Sequence, residues 1–130
     1  MKTVYQVFVN GIPKPQPRPR LSANGKVFNP ASVNPWKNEI RAAFVSCRRE
    51  TITTPVLLKI SFFMPMRKGM WITNGECIPH TSKPDLDNLQ KAVMDEITNS
   101  GIWKDDALVY RVEADKWYGP QPGARIIIEA

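Results

Sequence analysis

Hydrophobic and polar residues alternate along Val4–Asn10, with Tyr5, Val7 and Val9 on one side of a run rich in β-branched and aromatic residues. That period predicts a strand. Asn34-Pro35 supplies a capping side chain followed by proline at the first helical position, which opens a helix well. Trp36, Ile40, Ala43, Phe44 and Cys47 then follow at helical spacing and predict its core face. Pro55 ends any continuation, and Val56–Met64 alternates again, with Val56, Leu58, Ile60, Phe62 and Met64 on one side. From Pro84 to about Asn99 the period returns to that of a helix, with Leu86, Leu89, Val93 and Ile97 on one face and Gly101 where a C-terminal cap belongs. Leu108–Trp117 reads as a strand with Leu108, Tyr110, Val112 and Ala114 inward and Arg111, Glu113 and Asp115 outward. After a turn at Gly119–Gly123, Arg125–Glu129 forms a last short strand. The predicted order is β-α-β-α-β-β: one α/β domain over residues 1–130, its helices packed on a mixed sheet.

Two segments follow neither period. Between Ile12 and Arg20, Pro13, Pro15, Pro17 and Pro19 occupy every second position. Such a stretch is extended and cannot donate ladder hydrogen bonds at its prolines. Lys14, Arg18 and Arg20 stand out from it as cations, and Asn24-Gly25 beyond it is a turn signal. The second segment, Pro65–Lys83, is a long connection for a small domain and carries Arg67, Lys68 and an isolated Trp71. Trp71 either stacks on a nucleobase from a mobile flap or folds back onto the core.

Composition narrows the chemistry. At 130 residues, 42% hydrophobic and 23% charged, the chain has the makeup of an ordinary globular domain rather than a disordered one. No apolar run approaches the ~20 residues of a membrane span. Met1–Asn10 lacks the apolar core and small-residue cleavage site of a signal peptide, so a cytoplasmic protein is expected. Cys47 and Cys77 form neither a disulfide framework nor a CxxC pair. A single histidine, His80, disfavours histidine-based zinc sites, and neither GxxxxGK[ST] nor GxGxxG occurs. Carboxylate, lysine and arginine remain, which are the parts of a hard-metal phosphodiester site.

The net charge of +6 is unevenly distributed. Residues 1–50 hold 9 basic and 2 acidic side chains, whereas residues 51–130 hold 9 basic and 10 acidic. Eight of the 12 acids lie between Asp85 and Asp115, so the chain is not a uniformly basic coat for polyanions. Within that region Lys83-Pro-Asp-Leu-Asp-Asn-Leu-Gln-Lys91 is the most informative stretch. Taken singly its features have ordinary explanations. Asp85 and Asp87 near a helix start are favoured by the dipole, and Lys91 four residues after Asp87 makes a surface pair. Asp105-Asp106, between a helix end and a strand, shifts the balance. If that strand brings its start to the second helix, three or four carboxylates converge, and like charges that close raise one another's pKa and repel unless a cation sits between them. Mg²⁺ suits oxygen ligands of this kind, and Lys91 could stabilise charge on a phosphate.

Asp85-Leu-Asp87-Asn88, Lys91 and Gly101-Ile-Trp-Lys-Asp-Asp106, followed by Arg111-Val, resemble the RusA-type Holliday junction resolvases, small endodeoxyribonucleases frequent in bacterial prophages. The well-matched part runs from about Lys83 to Val112. The resemblance implies a metal-dependent homodimer that makes paired symmetric nicks in a four-way DNA junction, in recombination and repair. It implies Asp85, Asp87 and Asp106 as metal-binding carboxylates, Lys91 as the catalytic lysine, Asp105 as a supporting residue, and Mg²⁺ as cofactor with Mn²⁺ as substitute. Family resolvases are thought to carry an aromatic near the catalytic block that helps open the junction; here Lys83-Pro84 stands at that approach.

DNA binding is expected from Lys14, Arg18, Arg20, Lys37, Arg41, Arg67 and Lys68, through phosphate contacts that weaken in salt. Two other readings stay open: a non-catalytic basic module that holds branched DNA, its acids merely capping helices, and a metal nuclease for forks or flaps.

Overall fold

The computed structural model describes residues 1–16, 20–21, 27–28, 34–71 and 77–130. The chain runs through β1 (Thr3–Asn10), a short hairpin of β2 (Arg20–Leu21) and β3 (Val27–Phe28), α1 (Asn34–Val45), β4 (Val56–Pro65), α2 (Leu86–Asn99), β5 (Val109–Gly119) and β6 (Gly123–Glu129). A 3-10 turn, Asp106–Leu108, precedes β5. The main sheet has the order β1-β6-β4-β5. Its β4 and β5 are parallel, which requires a crossover connection, and α2 lies in it. The other two pairings are antiparallel. This is the predicted order with one addition, the β2–β3 hairpin. The Asn24-Gly25 turn signal between its strands lies outside the described residues.

Alternate strand residues and the apolar stripes of both helices share one core. Tyr5, Val9, Leu58, Ile60, Phe62, Ile126 and Ile128 pack with Trp36, Ile40, Phe44, Leu89, Val93 and Ile97. The opposite sheet face is half-exposed and carries a Phe8–Phe63 stack and a Lys59–Glu129 ion pair. β1 and β6 approach closely at Gly123, where a Cβ would sit 2.4 Å from the Val9 carbonyl oxygen.

Two expected inward positions are corrected. Cys47 falls in the turn after α1, which ends at Val45, and its exposed thiol meets the carbonyls of Ala43 and Phe44 instead of the core. Tyr110 is 61% exposed. The β4–β5 register passes from Val56↔Val109 directly to Leu57↔Arg111, so Tyr110 is an inserted residue. A one-residue insertion reverses the faces of a strand. Val109 and Val112 therefore both pack toward the core, and the strand continues inward through Ala114, Lys116 and Tyr118.

Candidate active site

α2 begins at a cap that offers its main chain and not its side chain. Asp85 is extended at the N-cap, its carbonyl accepts from Leu89 N at 3.1 Å, and its carboxylate makes no capping bond. The carboxylate instead meets Lys83 Nζ at 2.8 and 2.9 Å. The side chain of Asp87 turns onto the main-chain N–H of Asn88 at 2.9 Å. One turn on, Lys91 projects from the same face, 64% exposed, and another turn brings Asp95, whose carboxylate lies 4.0 Å from Lys91 Nζ.

The far end of α2 determines where Asp105-Asp106 is presented. Gly101, at φ +73°, ends the helix; its N–H donates to Thr98 and that of Ile102 to Ile97, a closure that needs the left-handed conformation glycine provides. Ile102 and Trp103 then plunge into the core, with Trp103 Nε1 donating to Thr98 Oγ1 at 2.7 Å. Ile52 and the 102–104 segment exchange main-chain hydrogen bonds of 2.9 Å. These anchors return Asp105 and Asp106 to the surface beside the middle of α2. Asp105 caps the 3-10 turn by accepting from Ala107 N at 2.9 Å.

The neighbouring acids titrate apart. The Asp106 carboxyl is pushed above the usual carboxylate range by its hydrogen bond to Asp105, then by desolvation and the charges of Asp105 and Asp95, with Lys91 opposing. Asp105 is held low by hydrogen bonds from Ala107 N and from Asp106. Asp106, Asp95, Lys37, Gln16, Thr98 and Asn99 line a polar cavity of about 300 Å³. Gln16 enters it because its N–H donates to the Asn88 carbonyl at 3.0 Å, pinning the proline-rich arm across the start of α2.

The structure thus brings Asp106, Lys91, Lys37 and a fourth acid, Asp95, to one side of α2, with Asp85 and Asp87 at its start. Among the described residues, no group of three or more His, Cys, Asp or Glu side chains is arranged to hold a metal ion. Each of the three expected ligands has a local partner: Lys83 on Asp85, the Asn88 N–H on Asp87, and Asp105 on Asp106. The donors themselves are hard oxygens, the set that Mg²⁺ takes, and Lys83 already places a cation against Asp85.

Other expected DNA contacts diverge. Lys14 is exposed and lines an apolar groove with Gly11, Ile12, Pro35, Trp36 and Glu39. Arg18 lies outside the described residues, as does the side chain of Arg20. Arg41 reaches into the fold, its Nε and Nη2 both 2.8 Å from Oε1 of Glu96 on α2. Arg67 bonds Ser82 Oγ and lies 5.6 Å above the Tyr118 ring. Lys68 is exposed in the adjoining turn, and Trp71, at 85% exposure, does not fold back onto the core.

Asp95, Glu96, Gln16 and Lys116 take part in this region beyond the residues expected from the sequence. Asp95 continues the four-residue spacing of Asp87 and Lys91, and Glu96 interrupts an apolar stripe, so both left a signal. Gln16 left none, because its place depends on the path of the arm.

Comparison with known proteins accords with this architecture. The family model described as Endodeoxyribonuclease RusA matches residues 10–129. The Bacillus subtilis protein YqaN is 34% identical over 133 residues, covering 92% of this chain and 92% of that protein. The crossover junction endodeoxyribonuclease RusA of Escherichia coli is 44% identical over 59 residues, 43% of this chain and 45% of that protein. The chain therefore spans under half the length of that relative, and the same holds for the Shigella sonnei protein of that name. With the family match running over nearly the whole of its length, the chain belongs to the RusA endodeoxyribonuclease family.

Proposed function

We propose that this protein is a metal-dependent endonuclease that resolves four-way DNA junctions by paired symmetric nicks as a homodimer, in recombination and repair. The observation that best supports the reading is the array on α2, with Asp87, Lys91 and Asp95 at successive turns and Asp106 lining a polar cavity with Asp95, within electrostatic reach of Lys91.

Asp85, Asp87 and Asp106 are the carboxylates that would hold Mg²⁺, or Mn²⁺ in its place. Bound there, the ion would neutralise the scissile phosphate and help activate the attacking water. The chain's own residues do the rest. Lys91 is placed to stabilise negative charge building on the phosphate. Asp105 raises the proton affinity of the neighbouring Asp106 carboxyl. Lys14, Arg18, Arg20, Lys37, Arg67 and Lys68 take phosphates along the DNA arms, with Arg41 contributing from the solvent side of its ion pair.

The deciding experiment compares cleavage of a synthetic four-way junction, a fork, a flap, linear duplex and single strand in Mg²⁺. The expected result is preferential junction cutting with paired nicks in opposed strands, reduced more than about a hundredfold by Asp106→Asn. Equal cutting of forks or flaps would move the substrate. Junction binding without any cutting would leave a binding module.

A further inference from the structure

Residues 78–84 lead into the proposed catalytic helix, and they are strapped to β5. His80 N donates to the Lys116 carbonyl at 3.0 Å, and Tyr118 N to the Ile78 carbonyl at 2.9 Å. The His80 ring rests 4.7 Å from the Tyr118 ring. At the end of the strap, Lys116 Nζ donates to the carbonyls of both Ser82 and Pro84 at 2.7 Å.

Lys116 is unexpected where it stands. On β5 it shares the inward phase of Val112, Ala114 and Tyr118, opposite Phe62 of β4. An ammonium in that position is costly unless its protons find acceptors. Two short charge-assisted bonds to main-chain carbonyls supply them. Proline 84 has no N–H with which to close the turn on itself, so a side-chain donor takes that part. Because the Pro84 carbonyl belongs to the peptide unit ending at Asp85 N, fixing it orients the bond from which the Asp85 carboxylate projects.

We infer that Lys116 is a positioning residue for the metal site: it locks the 82–85 turn and so fixes the main chain that carries the Asp85 carboxylate. This rests on the proposed role of Asp85, and Lys116 itself touches neither phosphate nor metal.

The test uses the full chain and Mn²⁺ as probe, with free ion followed by electron paramagnetic resonance. Wild type, Lys116→Met, Lys116→Arg and Asp85→Asn are compared, and single-turnover junction nicking is measured across a Mg²⁺ series. Lys116→Met should weaken Mn²⁺ binding roughly tenfold or more and raise the Mg²⁺ concentration for half-maximal nicking to match. Junction affinity without metal should stay within about twofold, since no phosphate contact is lost. Lys116→Arg, which can still donate to two carbonyls, should recover most of the loss. A merely structural role would reduce the folded fraction and leave the metal dependence of the folded molecules unchanged. If Asp85→Asn weakens Mn²⁺ binding and Lys116→Met does not, the positioning role is overturned while the function stands. If Asp85→Asn leaves both binding and nicking intact, the reading of Asp85 fails and takes this inference with it.

Discussion

The main-chain N–H of Gln16 donates to the Asn88 carbonyl at 3.0 Å, which fastens the proline-rich arm to the first turn of α2. The arm therefore leaves the sheet at Asn10 and reaches, by Gln16, the helix that bears Asp87 and Lys91. A DNA strand entering the cavity beside Asp106 would pass this arm. Replacing Lys14, Arg18 and Arg20 by alanine should weaken junction binding and lower the slope of log affinity against log salt by about 1 for each lost phosphate contact. Binding titrations over a salt series read this directly; an unchanged slope would remove the arm from the DNA interface.

Arg41 and Glu96 tie α1 to α2, with the glutamate side chain 1% exposed and the arginine side chain 55% exposed. Removing the arginine leaves a buried carboxylate without its partner, so Arg41→Ala should cost about 2 kcal/mol in denaturant unfolding. Replacing both residues by leucine should return most of that, because no charge is then left buried. A cost below about 0.5 kcal/mol for Arg41→Ala would make the pair a surface contact.

These residues mark how far the sequence could be read. Helices, strands and their order follow from periodicity, because the core faces of α1, β1 and β4 keep their period and that of α2 is broken only at Glu96. The Asp85–Lys91 block and Asp105-Asp106 were legible because residue type and spacing carry the chemistry. Tyr110 departs from its expected face because a bulge changes phase without changing composition, and Cys47 departs because α1 ends two residues earlier than its apolar spacing. Lys116 and Gln16 act through contacts between distant segments, which no local pattern encodes.

His80 is buried, and its imidazole is held below the ordinary 6.5, first by burial and then by the nearby Lys116 and Arg67 cations. The unfolded chain accepts a proton that the folded chain resists. Stability from this group is thus fully present above pH 6.5 and is lost as pH falls toward the folded-state value. Thermal unfolding between about pH 8 and 5 should show a fall in midpoint that is shallower in His80→Gln. Equal slopes for the two proteins would contradict the burial of a neutral imidazole.

Asp105 and Asp106 bias each other's titration, with Asp106 raised and Asp105 lowered. In Asp105→Asn the like charge and its accepting carboxylate are gone, so the Asp106 carboxyl should fall toward the ordinary carboxylate range. Carboxyl carbon NMR titration of the metal-free protein reads the shift. An Asp106 that titrates unchanged in the variant would show that Asp105 does not control it.

The most direct measurement is single-turnover nicking of a synthetic four-way junction by wild type and Asp87→Asn, with and without Mg²⁺, beside junction affinity for both. The expected result is Mg²⁺-dependent paired nicking by wild type, a loss of more than about a hundredfold in Asp87→Asn, and binding that is retained or tighter because a charge repelling phosphate has been removed. Nicking that survives Asp87→Asn, or proceeds equally without a divalent cation, would contradict a metal-charged cutting site on α2.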